Sequence, residues 1–431
     1  MNKSMVRYLL AKLLLIEAML LGVPIIVGLL NLQNDFVVKD SPTVFLSIIA
    51  TIAILLILGG MGTLFKPKDF HIYAKEGVLI VALCWILWSF FGALPFVFSG
   101  QIPNIIDAFF EVSSGFTTTG ATILNDVSVL SPSLLFWRSF THLIGGMGVL
   151  VFALAIMDNN KNSHLEVMKA EVPGPVFGKI VSKLKNTAQI LYYLYLALFF
   201  LFVIIYFCAG MPLYDSFIIA MGTAGTGGFT VFNDGIAHYH STLITYLVSF
   251  GVLVFGVNFN LYYYIMLRKF KAFFGDEELR TYLVIVGVSS LLIACNIFHL
   301  YHNFADSFEM SFFQVSNVIT TTGFGFGNTV DWPLFSQFLL LMLMVVGGSA
   351  GSTAGGMKVI RFLILARIGK NQIRSMLSPN RVMTLHINGS SLDKDTQHKI
   401  LKYFVVYTLI MIALIAVVSF DSNNFMTVVS A

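Results

Sequence analysis

The sequence predicts an all-α polytopic membrane protein, and its composition excludes most other classes. Of the 431 residues, 57% are hydrophobic and only 11% are charged, and the mean hydropathy is +0.83. Soluble domains carry about a quarter charged residues, so these charges are too few to cover a soluble surface. Disorder is excluded because disordered chains have low hydrophobicity. In addition, apolar stretches of about 20 residues, enough to cross a bilayer as a helix, recur along the chain.

The apolar stretches define the expected membrane spans. The first follows three basic residues, is too long for a signal peptide and lacks a small-residue cleavage site, so we expect it to stay as an anchor. The expected spans are 8–30, 43–65, 77–99, 133–157, 188–210, 240–266, 281–301, 333–346 and 401–420.

The loops between the spans alternate in charge, which predicts their orientation. Lys and Arg fall at the N terminus and in alternate loops, and only Lys39 and Arg138 fall elsewhere. The positive-inside rule then places the N terminus and the basic loops in the cytoplasm. The acidic loops on the other side have two interpretations. They can simply be the loops that cross the membrane because they are not basic, or they can form a negative vestibule that concentrates cations.

Three of the acidic loops share one sequence pattern, which we call the first, second and third Thr-Gly loops. The pattern covers residues 108–120, 216–228 and 311–323, and the Thr-Gly loop lies at the end of each segment. The last glycines of the three segments, Gly120, Gly228 and Gly323, lie 108 and then 95 residues apart. Each segment begins with an apolar run too short to span a bilayer. The repeating unit is therefore a span, a short re-entrant helix, a Thr-Gly loop and a second span.

Backbone that turns back inside a membrane must be hydrogen-bonded, be buried in protein or face a water-filled cavity. A run ending in Thr-Thr-Thr-Gly is a poor helix, so its carbonyl groups are free of helical partners. Such carbonyls can replace the hydration shell of a cation. Glycine suits the turn because it tolerates positive φ. One copy means little, but three copies in the same context indicate a common function.

The loops resemble the selectivity filters of the Trk/Ktr/HKT potassium transporter superfamily, and the chain most resembles its TrkH-like ion-translocating subunit. The resemblance covers nearly the whole chain. It rests on the Thr-Gly loops at 117–121, 224–229 and 320–324, on the glycine-containing segments 145–148 and 256–259, on the loop 171–175 and on Asp331-Trp-Pro333.

The resemblance implies four membrane-pore-membrane repeats with re-entrant loops around a central pore, preceded by an N-terminal helix pair. We expect the helix pair at 1–70 and the repeats at 71–160, 161–270 (with its preceding cytoplasmic loop), 271–376 and 377–431, the last one incomplete. Residues 421–431 match the start of a fourth pore helix, whose glycine would fall near 436 by the spacing of the other loops. We therefore expect a truncated sequence of a longer transporter.

The resemblance also implies which residues bind K⁺, the transported ion. In the second loop either Gly227 or Gly228 can be the filter glycine, and Gly228 is preferred because Phe229 then matches Phe324 of the third loop. The filter glycines are linked to K⁺ preference in this family. The expected K⁺-binding residues are Thr118, Thr119, Gly120, Gly227, Gly228, Thr321, Thr322 and Gly323.

Residues 347–356, which we call the glycine-rich loop, interrupt an apolar stretch with five glycines in ten residues. Each glycine disfavours a helix by about 1 kcal/mol relative to alanine. A phosphate-binding loop is not expected, because Lys358 follows Met357 and the Gly-Lys-Ser/Thr sequence is absent. The residues alone do not separate two interpretations, a packing break and a movable gate. The resemblance favours a gate. The expected gate residues are Gly347, Gly348, Gly351, Ser352, Thr353, Gly355 and Gly356, with Lys358 and, near the filter, Arg138 in supporting roles.

The expected function is potassium uptake across the bacterial inner membrane through a carbonyl-lined filter gated by the glycine-rich loop. The resemblance implies a homodimer and a cytosolic TrkA-like nucleotide-binding regulatory subunit; we expect contact with membrane lipid, no nucleic-acid partner and no cofactor other than transported K⁺. An enzyme is not expected, since no nucleophile or metal set stands out. The alternatives are a Na⁺-permeable member of the superfamily and a secondary transporter of a small solute using broken helices.

Overall fold

The computed structural model describes residues 2–30, 39–69, 74–146, 148, 184–327, 329–378, 384–420 and 428. Most of them are helical, and the expected all-α class is confirmed. Three expected features lie outside the described residues. These are the cytoplasmic loop 171–175, the end of the span 133–157, and the start of a fourth pore helix at 421–431, except Val428.

The described residues form two compact units. The first takes in described residues of Met1–Pro173 and Phe177–Phe255, together with Thr322–Gly327. Its helices are α1 (Lys3–Leu20), α2 (Gly22–Leu29), α3 (Pro42–Leu64), α4 (Ala74–Phe98), α5 (Ile105–Phe116), α6 (Pro132–Gly146), α7 (Leu184–Cys208), α8 (Leu213–Gly225) and α9 (Thr242–Phe255).

The second unit takes in Gly256–Thr321 and described residues of Asn328–Ala431. Its β1 and β2 form an antiparallel hairpin in which Leu385 lies opposite Leu392, and their apolar side chains pack with those of Ile364 and Ile400. The elements are α10 (Phe259–Met266), α11 (Phe270–Gly275), α12 (Glu277–Tyr301), α13 (Phe304–Ile319), α14 (Leu334–Val346), α15 (Val359–Leu377), β1 (Leu385–Ile387), β2 (Ser390–Leu392) and α16 (Lys394–Val418).

Within the described part of the chain, six helical segments are long and apolar enough to span a membrane. They are Lys3–Leu29, Pro42–Leu64, Lys75–Phe98, Gln189–Cys208, Glu277–Tyr301 and Lys394–Val418. The expected span 240–266 is interrupted, because α9 ends at Phe255 and α10 begins at Phe259; the two helices together are long and apolar enough to form one broken span. The Asn258 side chain caps α10 by accepting a hydrogen bond of 3.0 Å from the Asn260 N–H, which fixes the new helix start.

The three re-entrant helices expected from the sequence are α5, α8 and α13. They contain 12, 13 and 16 residues, fewer than the roughly 20 that a bilayer span needs. Each carries an aspartate in its first turn, at Asp107, Asp215 and Asp306, where a negative charge complements the helix dipole. The partly negative C-terminal end of each helix leads directly into its Thr-Gly loop.

Two glycines of α6 let this helix approach the first two short helices closely. A Cβ at Gly145 would overlap the carbonyl oxygen of Phe116, the last residue of α5. A Cβ at Gly146 would lie 2.6 Å from the Cα of Gly225, the last residue of α8. The ends of α5 and α8 are therefore held against one helix.

We predict that Gly145→Ala destabilises the protein, because the added methyl group meets backbone that cannot move aside without shifting α5. Overpacking of this kind costs about 1–3 kcal/mol. Gly287→Ala is the matched control, since nothing lies within 4 Å of a Cβ there. Thermal denaturation of the detergent-solubilised protein should give a lower midpoint for Gly145→Ala only; equal midpoints for the two variants would contradict the close approach.

Candidate functional site

Each of the three short helices runs into a threonine with left-handed backbone. Thr118, Thr226 and Thr321 have φ of +53°, +52° and +56°. Their N–H groups donate to the carbonyl three residues earlier, with N···O distances of 3.1, 3.2 and 3.0 Å, as at a Schellman-type helix end. A β-branched residue with positive φ is a genuine outlier, and each costs about 1–3 kcal/mol. Because the strain recurs at three equivalent positions, the surrounding structure must impose this backbone path.

A glycine with positive φ follows two residues after each of these threonines. Gly120, Gly228 and Gly323 have φ of +76°, +80° and +77°. Gly227 lacks a positive φ. Of the two glycines that the sequence left open, Gly228 therefore holds the backbone position equivalent to Gly120 and Gly323.

The three Thr-Gly loops pack against one another through these glycines. A Cβ at Gly120 would overlap the carbonyl oxygen of Gly227, and a Cβ at Gly228 would overlap the carbonyl oxygen of Thr322. No described atom lies within 4 Å of a Cβ at Gly323. The structure thus brings the first loop against the second and the second against the third, with carbonyl oxygens at both contacts.

Gly227 is needed for a different reason, the close approach of His142 from α6. A Cβ at Gly227 would lie 2.6 Å from three atoms of the His142 ring. The same ring stacks on Phe229, with 4.0 Å between ring centres. The sequence analysis missed His142, although its spacing of four from Arg138 places both residues on one face of α6.

Arg138, which the sequence marked as a supporting residue, forms a buried ion pair with Glu111 of α5. The Arg138 Nε lies 2.6 Å from Glu111 Oε1, and the side chains are 2% and 0% exposed. Glu111 also accepts hydrogen bonds of 2.9 Å from the Thr122 hydroxyl and 3.0 Å from the Ile123 N–H. The Arg138 guanidinium lies 3.4 Å from the centre of the Phe229 ring. The pair therefore braces the chain that follows both the first and the second loop.

The segments after the glycines are also joined to each other. The Asn233 side chain donates a hydrogen bond of 2.8 Å to Asp126, and the Ile236 N–H donates one of 3.0 Å to the Gly325 carbonyl. Hydrogen bonds from the Ser128 hydroxyl and N–H, and then from Asn233, hold the pKa of Asp126 below its usual value. These contacts link the first loop segment to the second and the second to the third.

The interruption expected at 347–356 is present between α14 and α15. The Met357 and Lys358 N–H groups donate to the Val345 and Val346 carbonyls at 3.1 and 2.9 Å, which closes the neck of the loop. The Lys358 ammonium donates to the Ala354 carbonyl inside the loop. Lys358 therefore ties the neck of the glycine-rich loop to a residue inside it.

The glycine-rich loop pairs with the break between α9 and α10. The Ser349 N–H donates to the Gly256 carbonyl and the Phe259 N–H donates to the Gly351 carbonyl, both at 3.0 Å. Each irregular segment supplies partners for the free backbone groups of the other. This pairing is the physical reason that the span expected at 240–266 is broken there.

Glu278, in the first turn of α12, is a second anchor of the glycine-rich loop. Its Oε1 accepts hydrogen bonds of 2.7 Å from the Ala350 N–H and 3.1 Å from the Ile360 N–H, and it is 5% exposed. The sequence analysis missed it, because an acid at a helix start is usually solvated and interacts with the helix dipole. Ser352 donates to the Ser349 carbonyl at 2.7 Å within the loop.

We predict that removing either Glu111 or Arg138 alone destabilises the protein, and that removing both together does not. Glu111→Leu or Arg138→Met alone leaves a buried charge unpaired, which costs about 3–5 kcal/mol. The double variant Glu111→Leu/Arg138→Met removes both charges and should recover most of the thermal stability measured in detergent. A double variant as unstable as the worse single variant would contradict this pairing.

The family model TrkH, described as a cation transport protein, matches residues 45–431. The Trk system potassium uptake protein TrkH of Salmonella typhimurium is 34% identical over 370 residues, which cover 83% of this chain and 76% of that protein. The Trk system potassium uptake protein TrkG of Escherichia coli K12 is 30% identical over 389 residues, covering 89% and 80%.

A solved structure agrees with these matches. The crystal structure of the potassium transporter TrkH from Vibrio parahaemolyticus has a TM-score of 0.87 and 28% sequence identity, covering 100% of this chain and 88% of that one. The multi-pass membrane class is thereby confirmed. The family model covers most of the chain, so the chain belongs to the TrkH family of cation transport proteins.

Proposed function

We propose that this protein carries K⁺ across the bacterial inner membrane in potassium uptake, through a path lined by the carbonyl groups of the three Thr-Gly loops. The observation that carries the proposal is the repeated left-handed Thr and Gly pair, with loops interlocked through their carbonyl oxygens. Membership of the TrkH family and relatives named potassium uptake proteins support the choice of ion.

The proposed ligands are main-chain carbonyl oxygens, which can replace the hydration shell of K⁺. They come from Thr118, Thr119, Gly227, Thr321 and Thr322. The glycine that follows each group has positive φ, and two of these glycines, Gly120 and Gly228, leave room for a carbonyl oxygen of the neighbouring loop. The C-terminal dipoles of α5, α8 and α13 add partial negative charge beside the ligands.

The glycine-rich loop is proposed as the gate of this path. It is closed at its neck, and it is held by Glu278 and by the break before α10. Hydrogen bonds to neighbouring segments, rather than helical structure, hold this glycine-rich segment, so the loss of one of them can shift its position. The competing interpretation is a static packing break, in which loosening the loop changes stability without changing flux.

The charge pattern supports a cytoplasmic N terminus and cytoplasmic basic loops. The family resemblance adds a homodimer and a cytosolic TrkA-like nucleotide-binding subunit as proposed partners, alongside membrane lipid. The alternative class, a secondary transporter of a small solute, does not explain three interlocked Thr-Gly loops, and the flux experiment below separates it from an ion path.

We predict K⁺ and Rb⁺ flux well above Na⁺ flux from liposomes containing the full-length protein, and loss of this preference in Gly120→Ser. The serine Cβ would overlap the Gly227 carbonyl and would require an unfavourable φ. Gly60→Ser is the matched control, since nothing lies within 4 Å of a Cβ there. Equal Na⁺ and K⁺ flux in the wild-type protein would overturn the proposal.

We predict that Glu278→Ala raises K⁺ flux on the order of tenfold, because a hydrogen bond to a charged group contributes about 1.5–3 kcal/mol and its loss releases the loop. The ratio of K⁺ to Na⁺ flux should stay unchanged. Glu277→Ala is the control, since Glu277 pairs with Arg367 at 2.7 Å in a half-buried ion pair rather than with the glycine-rich loop. Unchanged flux in a folded Glu278→Ala protein would favour the static packing break.

A further inference from the structure

The hydroxyl groups of two equivalent threonines have different partners. Thr226 Oγ1 donates to the Gly225 carbonyl and Thr321 Oγ1 donates to the Thr320 carbonyl, both at 2.6 Å. The Thr321 hydroxyl has an additional contact, because it accepts a hydrogen bond of 2.7 Å from the N–H of Gly355 in the glycine-rich loop. Thr226 shows the local bond without the contact to the loop.

The Thr321 hydroxyl can approach the backbone of Gly355 closely because glycine has no side chain. A Cβ at this position would lie 2.7 Å from Thr321 Oγ1. The Gly355 carbonyl in turn accepts a hydrogen bond of 3.4 Å from the Gly348 N–H at the other side of the loop. Thr321 therefore contacts a part of the glycine-rich loop that is itself bonded across the loop.

We propose that the Thr321 hydroxyl is the positioning group that couples the glycine-rich loop to the third Thr-Gly loop. The coupling rests on the proposed function, in which the glycine-rich loop is the gate and the third Thr-Gly loop contributes filter carbonyls. Thr118 and Thr226 have nearly the same backbone φ as Thr321, but among the described hydrogen bonds of the three hydroxyl groups only that of Thr321 reaches the glycine-rich loop.

The coupling has two physical components. The Gly355 N–H, the Thr321 hydroxyl and the Thr320 carbonyl form a continuous chain of hydrogen bonds, and such chains strengthen each bond. While the loop is in place, the Thr320 carbonyl is therefore held more strongly by the hydroxyl. In addition, the contact helps to hold the strained left-handed backbone of Thr321, and the next residue is Thr322, whose carbonyl packs against Gly228.

The test compares variants of the full-length protein in liposomes, with K⁺ and Na⁺ flux as readouts. Thr321→Val removes the hydroxyl and keeps the β-branched shape, whereas Thr321→Ser keeps the hydroxyl. Thr226→Val is the matched variant, because it removes the equivalent local bond in a loop that lacks the contact with Gly355. Each is also combined with Glu278→Ala, which loosens the glycine-rich loop at another point.

We expect Thr321→Val to raise K⁺ flux about twofold to tenfold, the effect of one net hydrogen bond on a closed state. Thr321→Ser, which keeps the hydroxyl, should raise K⁺ flux less than Thr321→Val does. The effects of Thr321→Val and Glu278→Ala should be less than multiplicative, because both release the same loop, whereas those of Thr226→Val and Glu278→Ala should multiply.

The coupling would be overturned if the effects of Thr321→Val and Glu278→Ala on K⁺ flux multiplied. It would also be overturned if Thr226→Val combined with Glu278→Ala fell short of the product by the same factor. Thr321→Ala provides the same reading if the valine variant does not fold, since it also lacks the hydroxyl. The failure of the proposed function is a separate outcome: it is shown by wild-type protein that passes K⁺ and Na⁺ equally, whatever the variants do.

Discussion

Polar backbone groups at membrane depth require hydrogen-bond partners, and this requirement governs each irregular segment of the molecule. The Thr-Gly loops meet it by repeating one helix end three times, with a left-handed threonine and a glycine two residues later. The contacts between the loops place the carbonyl oxygens of Gly227 and Thr322 against the glycines of neighbouring loops. A structural solution for ending a helix inside the membrane thus also supplies candidate cation ligands.

The second irregular region solves the same problem by pairing. The glycine-rich loop and the break at Gly256 exchange backbone hydrogen bonds, and the Glu278 carboxylate accepts two further N–H groups. Ala350 and Ala354 of the loop are also buried, and Ala350 packs in an apolar cluster with Ile360 and Ile364. If the loop is the gate, as proposed, its opening requires these hydrogen bonds to break or to find new partners.

The short helices and their glycines were predictable because one pattern occurs three times, and repetition separates a functional loop from an ordinary one. The partners were not predictable. Glu278 follows another glutamate at a helix start, and the sequence alone cannot show which of two adjacent carboxylates points inward. The break at 256–258 falls within a mostly apolar stretch, and the sequence analysis did not use its two signals, Gly256 and the helix-capping Asn258. Gly227 and Gly228 were distinguished by backbone φ and by the His142 ring, neither of which a sequence contains.

The central claim is that the interlocked carbonyl groups of the Thr-Gly loops bind the transported cation. Anomalous diffraction from crystals of the full-length protein grown with Rb⁺ tests it most directly, because Rb⁺ substitutes for K⁺ and is located by its own scattering. The claim predicts Rb⁺ density bounded by the carbonyl oxygens of Gly227 and Thr322. Rb⁺ bound elsewhere in the protein, with none among these loops, would contradict it.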